Sequence, residues 1–205
     1  MNSDFFTHHL SVSPVIAILR GLSTAETIDM ALRCWDSGIH LIEVPLQSEE
    51  AIEALKAVSL HANETDRAIG AGTICTVHDV QRARDAGASF LVSPGLFPES
   101  IEHASQHNLP YLPGVVTPTE IFQAQSMSLT VQKLFPSDAI GPSVITTLKG
   151  PFPGIRFVAV GGITPNNADD FMSAGALGVG VGSALASFDA LRFFSQLSNH
   201  TPTER

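Results

Sequence analysis

The sequence has few charged residues, and basic residues are the scarcest. Charged residues make up 15% of the 205-residue chain, against about 25% in an average globular domain. Only three residues are lysines, at positions 56, 133 and 149, and the net charge is −9. A nucleic-acid surface needs clustered basic residues, so the composition excludes nucleic acid as a partner. The 44% of apolar residues indicate a folded core.

Cysteines and long apolar runs are also scarce. Cys34 and Cys75 are far apart and form no CxxC motif, which excludes a disulfide scaffold and a cysteine zinc site. Their number fits a reducing, cytoplasmic location. No apolar run approaches the roughly 20 residues of a membrane helix, so no membrane partner is expected. The eight histidines form no HExxH motif, and we expect no metal and no cofactor.

Short apolar runs alternate with amphipathic stretches along the whole chain. The runs lack polar alternation, which is typical of strands buried on both faces of a parallel sheet. One strand and one helix per roughly 25 residues predicts a TIM (β/α)8 barrel, as one domain spanning residues 1–205. A doubly wound sheet is the alternative, weakened by the lack of a GxGxxG motif after the first strand. The predicted strands are Val15–Leu19, Leu41–Leu46, Ala68–Ala71, Phe90–Ser93, Tyr111–Leu112, Val131–Phe135, Arg156–Val160 and Leu177–Val181.

Helix boundaries can be predicted at several positions. Ser23 followed by Glu26 is a capping box that begins the first helix after a strand. Thr164-Pro165 has the pattern of an N-cap with proline at the first helical position. Gly38, Gly87 and Gly175 each follow a predicted helix and precede a strand, where glycine takes the left-handed conformation that ends a helix. The residues before the first strand are expected to form a short helix that closes the barrel bottom.

Two charged residues, Lys133 and Glu43, lie in the interior of predicted strands. Lys133 lies in the apolar run 131–136, where loss of hydration lowers the pKa of an amine and makes it a nucleophile able to form a Schiff base. The alternative is a lysine whose amine reaches solvent at the strand end. Glu43 shares one strand face with Leu41 and Pro45, which suits an acid/base group. The alternative for Glu43 is a structural salt bridge to Arg20 or Lys133.

Polar and glycine residues follow the other strands, at the end where TIM barrels hold their active sites. Arg20 follows the first strand, where a guanidinium can hold a carboxylate with two hydrogen bonds; the alternative is a surface arginine paired with a helix. Gly161-Gly162 and Gly182-Ser183 follow the last two strands, which is where barrels of this class bind phosphate. Cys75 is interpreted as a packing residue.

The strand ends together resemble those of the bacterial 2-keto-3-deoxy-6-phosphogluconate aldolase family. The resemblance covers nearly the whole chain and is greatest to the members acting on 2-keto-3-deoxy-6-phosphogalactonate. The lysine and Gly-Gly motifs are specific singly, and the others only in combination. The motifs are PVIAILRG at 14–21, IEVPL at 42–46, IGAGT at 69–73, VSPG at 92–95, LPG at 112–114, KLFPS at 133–137 and VGGITP at 160–165.

The resemblance implies a class I aldolase that cleaves a phosphorylated keto sugar acid to pyruvate and glyceraldehyde 3-phosphate. It implies a homotrimer that needs no metal. Lys133 matches the Schiff-base lysine and Glu43 the general acid/base. Arg20 and Thr73 match positions that hold the pyruvyl carboxylate. The phosphate site is matched by Gly161, Gly162 and Ser183.

Two departures from the gluconate-type pattern favour the galactonate type. Gluconate-type enzymes often carry an arginine where this chain has residues 46–48, Leu-Gln-Ser, and tend to have threonine where it has Val160. Epimer preference can depend on few contacts. One alternative function is a phosphate-binding barrel isomerase or transferase in which Lys133 is a charge clamp. A module that senses a phospho-sugar without turnover is another, although it leaves a buried Glu43 unexplained.

Overall fold

All the strands in the described part of the chain belong to one parallel sheet. The computed structural model describes residues 2–62 and 67–197. Along the sheet the strands follow the order β5-β4-β3-β2-β1-β9-β8-β7-β6. Their bounds are β1 Val15–Ile18, β2 Leu41–Pro45, β3 Ala68–Gly72, β4 Phe90–Val92, β5 Tyr111–Leu112, β6 Gly114–Val115, β7 Val131–Leu134, β8 Arg156–Val160 and β9 Gly178–Val181.

The two end strands of the sheet, β5 and β6, are halves of one strand position. Only Pro113 separates them; β5 pairs with β4, and β6 pairs with β7. Proline has no N–H to donate to a neighbouring strand, so it interrupts the ladder. Its carbonyl still accepts a hydrogen bond of 2.9 Å from Lys133 N. The sheet therefore has the eight strand positions of a TIM barrel, as predicted, but the second half of the fifth, Gly114–Val115, was missed.

Helices follow the strands and form the outer layer. The capping box predicted at Ser23 and Glu26 is confirmed: Glu26 N donates to Ser23 Oγ at 3.3 Å, and Ser23 N donates to Glu26 Oε2 at 2.9 Å. The helices are α1 Asn2–Val12, α2 Thr24–Asp36, α3 Glu49–Ala62, α4 Val77–Asp85, α5 Pro98–Gln106, α6 Pro118–Ser126, α7 Ser137–Ile140, α8 Ser143–Lys149, α9 Ala168–Ser173 and α10 Phe188–Leu197, with a 3₁₀ turn at Ser183–Ala186.

Two predictions about helix ends had different outcomes. The glycines at 38, 87 and 175 have positive φ angles, as predicted. The predicted helix start at Thr164-Pro165 is wrong, because α9 begins only at Ala168. Thr164 N instead donates to Asn167 Oδ1 at 2.8 Å, which folds residues 164–167 into a turn.

The sheet separates two apolar layers. The larger layer lies between sheet and helices, and the smaller one fills the barrel interior. Phe6 and Leu10 of α1 belong to the interior layer, and the Phe6 ring meets the Phe90 ring edge-on at 5.7 Å between centroids. The predicted N-terminal helix therefore closes the barrel bottom and leaves the opposite end, where the strands finish, open. Within the described residues, no helix is long and apolar enough to span a membrane.

Candidate active site

A cavity of about 470 Å³ opens where the strands end. It is lined by five of the seven predicted site residues, which come from four different segments of the chain. These are Arg20, Lys133, Gly161, Gly162 and Ser183. The barrel thus brings together residues up to 163 positions apart in sequence, as the strand-end argument predicts.

Lys133 projects into the barrel interior from β7. It is only 5% exposed, and its amine lies 4.8 Å from the centroid of the Phe135 ring. Burial lowers the pKa of Lys133, an effect that the nearby Glu43 opposes and Arg20 adds to. In the described part of the chain, Lys133 forms no salt bridge, so the amine is not locked into the charged form. The arrangement favours the neutral, nucleophilic amine.

Glu43 is buried in β2, one strand from β1. It is 2% exposed, and it pairs in register with Ile18 of β1 and with Gly70 of β3. Burial raises the pKa of Glu43, while the positive charges of Lys133 and Arg20 oppose the rise. Within residues 2–62 and 67–197 it makes no salt bridge, which removes the structural alternative considered from the sequence. A raised pKa favours the protonated carboxyl group, which can donate a proton and, once ionised, accept one.

Arg20 brings a permanent positive charge to the cavity. It follows β1, is exposed, and acts electrostatically on both Glu43 and Lys133. Among the described residues it is not engaged in a salt bridge, so no helix carboxylate occupies it. Its guanidinium is therefore available to an anion in the cavity, and it offsets locally the negative charge of the whole chain.

Thr73 is not among the residues that line the cavity. It follows β3 directly and has a φ angle of 62°, in the left-handed region. A β-branched residue is strained there, and such strain clusters at functional sites. Cys75, two residues further on, is close enough for Lys133 to lower its pKa against the larger opposing effect of burial. The segment after β3 therefore belongs to the same region as Lys133.

The segment after β8 forms one wall of the cavity. Gly161 and Gly162 have φ angles of 97° and 75°, which only glycine adopts without strain. A Cβ on Gly161 would lie 3.0 Å from the Phe135 ring, so a side chain there would crowd that ring. Ser183, exposed at the start of the 3₁₀ turn after β9, completes this side.

Three contributors to the site were missed by sequence reasoning. Gly72 leaves the space that the Glu43 side chain fills, and Asp138 and Asn167 hold the Gly161–Gly162 segment from outside the cavity. Gly72 lies in the quoted IGAGT motif, and the strand register could have paired it with the Glu43 strand. Asp138 and Asn167 had no local signal, because the two positions are 29 apart in sequence and only the fold brings them into contact.

A buried amine with a lowered pKa, a buried carboxyl group and a glycine-walled cavity lie together at the strand ends of a TIM barrel, the end where barrel enzymes hold their active sites. The chain belongs to the KDPG and KHG aldolase family, whose family model matches residues 6–195. The protein is therefore an aldolase, a carbon–carbon lyase. This confirms the family resemblance predicted from the strand-end motifs.

The relatives agree with this assignment. The chain is 35% identical to the 2-dehydro-3-deoxy-6-phosphogalactonate aldolase of Escherichia coli K12 over 84% of each protein. It is also 35% identical to the probable enzyme of the same name from Rhizobium meliloti, over 84% of this chain and 81% of the relative. Among solved structures, the KDPG aldolase of Legionella pneumophila has a TM-score of 0.83 at 27% identity, covering 94% of this chain and 96% of that one. That structure contains pyruvate captured at low pH as a covalent carbinolamine intermediate.

Proposed function

We propose that this protein is a class I aldolase in which Lys133 forms a Schiff base. It cleaves 2-keto-3-deoxy-6-phosphogalactonate or the gluconate epimer to pyruvate and glyceraldehyde 3-phosphate. The observation that carries the proposal is the Lys133 amine, buried inside a barrel strand with a lowered pKa and no salt bridge in the described part of the chain. The names of the relatives support the substrate, and the carbinolamine in the Legionella pneumophila enzyme supports an amine nucleophile.

The reaction begins with covalent attachment of the substrate. The neutral amine of Lys133 attacks the C2 ketone, and the carbinolamine loses water to give a protonated imine. Glu43 supplies the proton that leaves with the hydroxyl group. The resulting carboxylate is then ready to act as a base.

Bond cleavage follows from the positive charge on the imine. Glu43 takes the proton of the C4 hydroxyl, the C3–C4 bond breaks, and its electron pair moves onto the imine to give an enamine. Glyceraldehyde 3-phosphate leaves as the aldehyde. Protonation of the enamine at C3 and addition of water then release pyruvate and regenerate the neutral Lys133 amine.

The remaining site residues hold the two ends of the substrate. Arg20 and Thr73 bind the carboxylate next to C2. Arg20 lines the cavity, and within the described residues its guanidinium makes no salt bridge. Gly161, Gly162 and Ser183 bind the phosphate through backbone N–H groups and the serine hydroxyl. Such donors bind anions without a lysine, which fits a chain with only three lysines.

A turnover assay tests the proposed reaction and its epimer preference together. Pyruvate release from the two phosphorylated epimers is compared for the wild type, Lys133→Ala and the control Lys149→Ala. We expect faster cleavage of the galactonate epimer, supported by Val160 and Gln47, and no turnover by Lys133→Ala. Substantial residual activity in Lys133→Ala would contradict the Schiff-base role.

The isomerase or transferase alternative is less well supported. It requires Lys133 as a charged clamp, whereas its burial favours the neutral amine. A module that only senses a phospho-sugar would bind without releasing pyruvate. The same assay therefore separates these functions from the aldolase.

We also propose that the protein is a cytoplasmic homotrimer acting as one domain. Phe122 of α6 and Phe188 of α10 are 63% and 71% exposed, and apolar side chains of this size are the kind that a second subunit covers. Both cysteines are unpaired, which fits a reducing compartment. Light scattering after gel filtration is expected to give three times the 21.7 kDa chain mass, and a monomer would contradict the trimer.

A further inference from the structure

We infer that Asn167 and Asp138 position the Gly161–Gly162 segment so that its amide groups face the phosphate of the substrate. The inference rests on the proposed function, which places a phosphate against this segment. Gly161 and Gly162 line the cavity, whereas Asn167 and Asp138 do not. The two polar residues therefore act through the backbone and are positioning residues.

The side chain of Asn167 ties three groups together. Its Nδ2 donates to Gly162 O at 3.0 Å and to Asp138 Oδ1 at 3.1 Å. Its Oδ1 accepts a hydrogen bond from Thr164 N at 2.8 Å. One side-chain amide thus fixes both ends of the short segment between Gly162 and Thr164.

Asp138 completes the contact from α7, the short helix that follows the strand of Lys133. Its backbone N donates to Gly161 O at 3.0 Å, and a Cβ added to Gly162 would lie 3.0 Å from its Cγ. The preceding residue, Ser137, is buried, and its Oγ accepts a hydrogen bond from Val160 N at 3.0 Å. Consecutive residues after β7 thereby hold the last residue of β8 and the residue that follows it.

These contacts determine the direction of two amide groups. In a trans peptide, the carbonyl and the N–H of the following residue point in opposite directions. The carbonyls of Gly161 and Gly162 bond to Asp138 and Asn167, outside the cavity, so the N–H groups of Gly162 and Ile163 point away from those residues. Within residues 2–62 and 67–197, neither N–H donates a hydrogen bond to the protein. Both are therefore available to an anion in the cavity that these residues line.

The reverse orientation would place carbonyl oxygens against the phosphate. The peptide groups of a glycine pair can flip easily, because glycine adopts both positive and negative φ angles. Asn167 opposes this peptide flip through its hydrogen bond to Gly162 O. Loss of the bond should weaken phosphate binding by about tenfold, the effect of roughly one charge-assisted hydrogen bond, and leave the chemistry at Lys133 intact.

Asn167→Asp is the most direct test. The substitution keeps the shape and the acceptor for Thr164 N, but it removes the Nδ2 donor. We expect the KM for the phosphorylated substrate and the inhibition constant for inorganic phosphate to rise together by about tenfold. The kcat should stay within about threefold, and borohydride trapping of pyruvate on Lys133 should continue. Asp138→Ala, which removes only one acceptor, should move both constants in the same direction by less.

Asn166→Asp is the matched control, because it adds the same charge at the neighbouring exposed position. It should leave both constants near the wild-type values. Unchanged constants in Asn167→Asp and Asp138→Ala would overturn the inference. A rise in KM accompanied by a comparable fall in kcat and pyruvate trapping and by a lower melting temperature would also overturn it, because it would indicate general damage to the fold. Calorimetric titration with inorganic phosphate gives the answer without turnover. A wild type that binds phosphate but fails to trap pyruvate would refute the Schiff-base function and leave the positioning role standing.

Discussion

Glu43 fills the space that a side chain on Gly72 would occupy. The two residues lie on neighbouring strands, β2 and β3, whose register pairs Pro45 with Gly72. A Cβ on Gly72 would overlap Glu43 Oε1 and would lie 2.6 Å from its Cδ. The missing side chain at position 72 therefore sets where the carboxyl group of Glu43 lies inside the barrel.

Gly72→Ala tests whether that placement matters for catalysis. The methyl group must displace the Glu43 carboxyl, so we expect kcat to fall by about 10²-fold, the lower end of a general acid/base contribution. Covalent capture of pyruvate by Lys133 should persist. Gly154→Ala is the control, because a Cβ there meets nothing within 4 Å. Wild-type turnover in Gly72→Ala would contradict an acid/base role that depends on the position of the Glu43 carboxyl.

Glu43→Gln should lower activity and raise stability at neutral pH. Turnover should fall by about 10² to 10⁴-fold because the proton carrier is lost. Burial raises the pKa of Glu43 in the folded state, so the ionised carboxyl costs stability that a neutral amide does not.

The pH dependence of the difference in unfolding free energy between wild type and Glu43→Gln measures the cost of ionising Glu43. Below the ordinary carboxyl pKa of 4.5, Glu43 is protonated in the folded and unfolded states, so ionisation adds nothing to the difference between wild type and variant. As the pH rises above it, the unfolded state releases its proton first, so the wild type loses stability relative to the variant. The difference stops growing above the raised folded-state pKa. Urea unfolding at a series of pH values measures the difference, and a gap that is constant with pH would refute the raised pKa.

Thr73→Gly and Thr73→Ala separate strain from chemistry at the end of β3. Glycine relieves the left-handed φ of 62°, whereas alanine keeps the strain, which costs about 1–2 kcal/mol. We expect the free energy of unfolding of Thr73→Gly to exceed that of Thr73→Ala by roughly 1 kcal/mol. Both variants lack the hydroxyl group, so kcat/KM should fall equally. An activity loss confined to one of them would show that backbone shape, not the hydroxyl, is what the substrate needs.

Ser183→Ala should weaken binding of the phosphorylated substrate without stopping the chemistry. Loss of one hydrogen bond to a charged group raises KM by about tenfold or more, while pyruvate capture on Lys133 should be unchanged. Ser126→Ala is a suitable control, since Ser126 ends α6, at the opposite end of the barrel from the cavity. An unchanged KM in Ser183→Ala would move the phosphate site elsewhere.

The features predicted correctly are those with short-range causes. The apolar runs of β1 to β4 and the capping box at Ser23 and Glu26 are visible within a few residues. The strand-end positions of Lys133 and Arg20 follow once a barrel is assumed, because parallel strands place all their carboxyl ends at one mouth. Arg20 and Lys133 both line the cavity at that mouth.

The features missed depend on contacts between distant segments or on competing local bonds. Thr164-Pro165 has a helix-start pattern, yet Asn167 accepts the Thr164 N–H and delays the helix to Ala168. The space for Glu43 beside Gly72 depends on strand register. Pro113 shows a different limit: a break was expected after Leu112, but resumption of the strand at Gly114 requires the pairing partner, β7.

Reduction of the protein with borohydride in the presence of pyruvate tests the Schiff base on Lys133 most directly. We predict one reduced pyruvate per chain, located on the Lys133 peptide by mass spectrometry, and loss of activity in proportion to labelling. Lys133→Ala should take up no label, and Lys56→Ala should be labelled like the wild type. A wild-type protein that cleaves its substrate but carries no adduct on Lys133 would contradict the Schiff-base role of Lys133.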